Sequence, residues 1–118
     1  MNLKTQSIVL FIKQEILKAI EKLSKVYEFD SSKYTLDKIN VDKTKNSKFG
    51  DFTSNVVMSM QLGKTPKIDF AKKLASTISC DAFNKIEIAG PGFINFYLKY
   101  PNGSMVNEIK KIAKKYPN

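Results

Sequence analysis

Residues 85–100 constrain the fold more than any other part of the chain. Lys85–Ala89 and Phe93–Tyr100 both carry the branched and aromatic side chains that suit a pleated surface, and Gly90-Pro91-Gly92 stands between them. Glycines on either side of a proline let the backbone reverse sharply at little steric cost. Three residues can join antiparallel neighbours but cannot make the long crossover of a parallel pair. Within the second strand, side chains alternate between faces. Ile94, Phe96, Leu98 and Tyr100 share an apolar face, which is core. Phe93, Asn95, Tyr97 and Lys99 share the other. Two readings of that second face stand side by side. A second layer of helices could cover it and make Phe93 and Tyr97 core. Alternatively it meets an unstacked base, with a ring to stack, an amide to pair with the base edge and an ammonium for phosphate.

The periodicity elsewhere predicts helices around this hairpin. Ile8, Ile12, Ile16, Ile20, Leu23 and Tyr27 recur at three- and four-residue spacing, the stripe of a surface helix. A turn is expected from Asp30 to Tyr34. Ile39 and Val41 alternate with Asn40 and Asp42 as a short strand would. A basic stretch with Lys43, Lys45 and Lys48 leads to Phe49 and Gly50. Asp51 reads as the N-cap of a helix presenting Phe52, Val56 and Met60, stopped by Gly63. Thr65-Pro66 opens another helix lined by Phe70, Leu74 and Ile78. After the hairpin, Asn102-Gly103 predicts a turn, and Ser104 caps a final basic helix striped by Met105, Ile109, Ile112 and Tyr116. The order of elements reads as α+β, a small, mostly antiparallel sheet packed with helices in one domain over residues 1–118.

Charge and missing residue types narrow the function. Twenty Lys+Arg against eleven Asp+Glu give a net charge of +9, which favours an anionic partner, nucleic acid first. The bland alternative is a lysine-rich proteome that raises the charge of every protein. The chain contains no histidine and one cysteine, Cys80. The commonest general base and commonest metal ligand are therefore absent, and neither a catalytic site, a zinc site nor a bound cofactor is expected within these residues. No apolar run approaches the roughly 20 residues of a membrane span, and Ile8–Ile12 is too short for a secretory signal. A cytoplasmic monomer that does not enter membranes is expected, and the sequon Asn102-Gly103-Ser104 reads as a turn. Gly63-Lys64-Thr65 looks like the tail of a phosphate-binding loop, but Met58 occupies the position where that pattern needs glycine.

Two segments carry a more specific signal. Lys48-Phe49-Gly50-Asp51-Phe52-Thr53-Ser54-Asn55 and Ile86-Glu87-Ile88-Ala89-Gly90-Pro91-Gly92-Phe93-Ile94-Asn95-Phe96 resemble the two signature segments of the N-terminal additional domain of arginyl-tRNA synthetases. Leu62-Gly63-Lys64 and the Phe70–Ala75 helix lie between them in the family's order, so the resemblance covers nearly the whole chain. It implies an α+β unit that contacts the tRNA D-loop, with Phe93 and Asn95 recognising an exposed nucleotide. Tyr97 belongs to the same face, and Lys99, Lys43, Lys45 and Lys48 are the candidate phosphate contacts. Gly50, Asp51 and Asn55 look like a structural cap and turn. The resemblance further implies a class I enzyme that joins arginine to tRNA with ATP, in which this segment positions tRNA beside a catalytic domain. That catalytic domain carries a His-x-Gly-His signature for ATP, and no histidine occurs here. The arginine and ATP sites are therefore expected elsewhere, whether the chain is a fragment or a freestanding binding or protein-interaction module of the same descent.

Overall fold

The computed structural model describes residues 3–99. Its first element, α1 (Leu3–Tyr27), buries the predicted stripe from Ile8 to Leu23 together with Phe11 and Ala19, and leaves Tyr27 half-buried at its end. The helix ends without glycine. Glu28 takes φ 57°, and the Phe29 amide donates back to the Ser24 carbonyl at 3.1 Å, which closes a Schellman-type cap. That reversal sends Phe29 onto Phe70, ring centroids 5.8 Å apart, beside Tyr27 of the last helical turn at 5.2 Å.

Two short 3-10 turns follow, Ser31–Lys33 and Leu36–Lys38, the first capped by the Asp30 carboxylate. Ile39 and Val41 are buried as expected, but they do not form the strand. The Ile39 amide still closes the preceding turn onto Leu36, and the Asn40 side chain accepts from the Asn55 backbone. The strand begins one residue after Val41, as β1 (Asp42–Lys43).

The expected helix after Asp51 is absent. Residues Phe52–Ser54 form β2, and Val56–Ser59 form a 3-10 turn. Phe52, Val56 and Met60 are all buried, yet a strand, a turn and the residue after it deliver them. The reason is tertiary. Asp51 donates its amide to the Phe96 carbonyl, and its carboxylate accepts from the Leu98 amide, both at 2.8 Å. The carboxylate that should cap a helix is spent across the sheet.

Helix α2 (Lys67–Thr77) starts after Pro66, whose carbonyl accepts from Phe70, and buries Phe70, Ala71 and Leu74. Ile78, expected inside it, is the half-buried residue that caps its end. The predicted hairpin follows as β3 (Phe83–Ala89) and β4 (Phe93–Leu98), with Ala89 opposite Phe93 across the Gly90-Pro91-Gly92 turn. The four strands lie in the order β1-β2-β4-β3, antiparallel throughout. The architecture is therefore α+β, as the order of elements implied. One face of β4, with Ile94, Phe96 and Leu98, packs into the core that both helices complete. Tyr100, the Asn102-Gly103 turn and the expected helix from Met105 to Tyr116 lie outside the described residues.

Candidate nucleic-acid interface

The other face of the sheet is set by register. Asp42, Thr53, Asn95 and Glu87 stand opposite one another in a row across all four strands. Along β4, Phe93 and Tyr97 flank this row, one on either side of Asn95. Phe93 is 39% exposed, which takes it out of the core. Asn95 is only 5% exposed, yet its surroundings are polar. The Thr53 hydroxyl donates to its amide oxygen at 2.9 Å. Among the described residues no buried side-chain polar atom lacks a partner, so the Asn95 amide nitrogen, which has none, still reaches solvent.

A groove of about 520 Å³ opens above this position. Lys43, Thr53, Phe93 and Asn95 contribute from the strands, and Lys45 and Phe49 from the segment joining β1 to β2. That joining segment is tightly built. The Asn46 side chain caps a 3-10 turn over Ser47–Phe49, and Gly50 ends it at φ 86°. A Cβ on Gly50 would stand 2.7 Å from the Phe96 carbonyl oxygen, so the chain passes β4 at a distance only glycine allows. The Thr44 hydroxyl holds the Gly50 carbonyl at 2.5 Å. Phe49 is left 53% exposed.

The sequence-derived site residues divide accordingly. Phe93, Asn95, Lys43 and Lys45 meet on the groove. Tyr97 is half-buried and engaged elsewhere, since its hydroxyl donates to the Lys48 carbonyl at 2.6 Å while the Lys85 ammonium sits 4.4 Å over its ring. Glu87 pairs with Lys85 at 2.9 Å and also lies 3.3 Å from the Tyr97 hydroxyl. A phenol has one proton, and the shorter contact to Lys48 takes it. Loss of hydration and the Glu87 carboxylate push the Tyr97 phenol above its ordinary value. The hydrogen bond from Lys85 holds Glu87 below its own. Lys48 and Lys99 are exposed and do not line the groove. Sequence reasoning passed over Phe49 and Thr53. The available signal for Phe49 was an aromatic side chain between a lysine and a glycine in a basic stretch.

Among the described residues no group of acidic, histidine or cysteine side chains could hold a metal ion, and no helix is long and apolar enough to cross a membrane. Burial pushes the Cys80 thiol up, away from the reactive thiolate.

The family described as the arginyl tRNA synthetase N terminal domain matches residues 10–98, a span that contains the hairpin, the Gly50 turn and the groove between them. The chain belongs to that family. An arginine–tRNA ligase of Ureaplasma parvum is 36% identical over 89 residues, covering 75% of this chain and 15% of that protein. One from Mycoplasmoides gallisepticum is 43% identical over 60 residues, covering 49% of this chain and 11% of that protein. The chain thus spans a small part of the length of these relatives. Among solved structures, arginyl-tRNA synthetase from Plasmodium falciparum superposes with a TM-score of 0.53 at 19% identity, over 75% of this chain and 16% of that one. That likeness concerns the fold. Within the arginyl-tRNA synthetase N-terminal domain, the described strands end at Leu98, where the matched span also ends.

Proposed function

We propose that this chain is the tRNA-binding module of an arginine–tRNA ligase, and that its groove takes a nucleotide exposed at the tRNA D-loop. The observation that carries the reading is the meeting of exposed Phe93, the Asn95 amide and the lysine-bearing β1–β2 segment on one groove of a basic chain. Phe93 stacks the base, a contact of about 1–3 kcal/mol in single-strand binders. Asn95 offers its amide nitrogen to an acceptor on the base edge, because Thr53 already occupies the amide oxygen. Lys43 and Lys45 lie within the groove for the neighbouring phosphates, with Lys48 and Lys99 as outer contacts. Tyr97 contributes by holding the Lys48 backbone. ATP-dependent joining of arginine to tRNA belongs to the full-length ligase, whose catalytic domain is the second partner.

The test is binding of the chain to arginine tRNA and to a tRNA with an altered D-loop, across a salt series. Weakened binding to the altered tRNA, and a further loss in Phe93→Ala and Asn95→Ala, are expected. Equal binding to both RNAs would reduce the charge to general adhesion. Absence of RNA binding, together with salt-independent capture of a protein partner, would favour a protein-interaction module instead.

A further inference from the structure

The groove carries a second exposed ring that the D-loop reading does not use. Phe49 lines the same groove as Phe93, and both are large apolar side chains left open to solvent. Among the described residues neither ring contacts another aromatic, whereas Phe11, Phe29, Phe70, Phe83 and Phe96 all do. An aromatic ring standing in water is ordinary when solitary, but two that share a lysine-flanked groove form a surface matched to a flat, anionic ligand.

We propose that Phe49 and Phe93 form a two-walled clamp that holds one nucleobase of a single-stranded RNA segment between them. This rests on the reading of the groove as an RNA site. Stacking between two rings buries both faces of the base, and it leaves the base edge pointing to the groove floor where Asn95 stands.

The backbone supports the second wall. The Phe49 amide donates to the Asn46 carbonyl, and the Gly50 amide to Ser47, so the ring sits on a closed turn. On its N-terminal side the Lys48 carbonyl is held by the Tyr97 hydroxyl. On its C-terminal side Asp51 is held by Phe96 and Leu98. Three residues of β4 thus anchor the segment that carries Phe49, and β4 also carries Phe93. The backbones that carry both walls are therefore tied to one strand before any ligand arrives. The flanking charge chooses the occupant. Lys43 and Lys45 line the groove, which suits a phosphodiester strand.

The chain contains no tryptophan, so Phe49→Trp creates a single reporter in the clamp. The probe is an arginine tRNA transcript, alongside the same transcript with an abasic D-loop. Phe49→Trp is expected to bind near the parent affinity, with its emission quenched on binding the intact transcript and unchanged on adding the abasic one. Phe49→Ala is expected to weaken binding about 5- to 150-fold, the loss of one stacking ring. Phe49→Ala combined with Phe93→Ala should cost less than the product of the two single losses. Phe49 is exposed, so the variants should keep the parent's thermal unfolding midpoint. An undiminished affinity in Phe49→Ala, or an unquenched tryptophan, overturns the clamp while Phe93→Ala still weakens binding and the site reading stands. Failure of Phe93→Ala and Asn95→Ala to weaken binding overturns the site reading itself, and the clamp with it.

Discussion

The Thr53 hydroxyl donates a 2.9 Å hydrogen bond to the Asn95 amide oxygen, joining directly opposed residues of β2 and β4. The contact sets which end of the amide looks into the groove. With the oxygen occupied, the nitrogen is the end offered to a ligand. Replacing Thr53 by Val removes the donor while keeping the side-chain shape. RNA affinity should fall by about fivefold, matching roughly 1 kcal/mol for one hydrogen bond, and Thr53→Ser should restore it. A filter-binding or anisotropy titration decides this. Unchanged affinity in Thr53→Val would mean that the amide is oriented by something else.

Gly50 carries a stability prediction. Its φ of 86° and a Cβ position 2.7 Å from the Phe96 carbonyl oxygen leave no room for a side chain. Gly50→Ala should cost at least about 2 kcal/mol in denaturant unfolding, combining a strained dihedral with a backbone shift. Gly63, whose Cβ would meet nothing within 4 Å, is the control at another positive φ. Gly63→Ala should cost less than Gly50→Ala.

Asp51 gives a second stability prediction, one that separates capping from cross-strand bonding. Its carboxylate accepts from the Leu98 amide at 2.8 Å, on a strand remote in sequence. Asp51→Ala leaves that amide without its partner and should destabilise the chain by about 1–3 kcal/mol. Amide hydrogen exchange at Leu98 should quicken in the variant. Loss of protection confined to residues 52–60 would instead restore the idea of a local cap.

Alkaline titration tests the Tyr97 cluster. Its phenol is held above the ordinary 10.0 by lost hydration first and by Glu87 second. The neutral form is therefore the one that the fold favours. Its contribution to stability is complete below the unfolded value of 10.0 and disappears as pH rises through the higher folded value. Parent and Tyr97→Phe stability curves should converge above that pH. A constant gap between them across the alkaline range would remove Tyr97 from the titration.

Salt should reveal the phosphate contacts. Lys43→Gln and Lys45→Gln should each lower affinity for arginine tRNA and reduce the slope of log affinity against log salt by about 0.7 to 1. Lys22→Gln on α1, outside the groove, should leave the slope unchanged.

Where sequence and structure agree, the signal is local. The stripe of α1, the Phe70–Leu74 face of α2 and the alternation along β4 each follow from a side-chain period that one element expresses by itself. The segment from Ile39 to Met60 was not legible in this way. Phe52, Val56 and Met60 fall at helical spacing, but β2 is a strand because β4 offers it a ladder. No window of residues around Asp51 contains that partner. The same limit applies to the site. Phe93 and Asn95 could be placed on one face from alternation alone, whereas the exposure of Phe49 depends on Gly50 passing beside Phe96.

The sheet's pairing order also fixes when the groove can exist. β3 and β4 close a three-residue loop, so their hairpin costs little chain entropy to form. The β2–β4 pair joins residues 42 apart in sequence, such as Thr53 and Asn95. Loop-closure entropy therefore places that pairing late on the folding route. Phe93 stands on the early part and Phe49 on the late part, so the groove is a property of the completed fold alone. A ligand seated between them draws its affinity from that last step, and it should slow global unfolding more than it speeds formation of the hairpin.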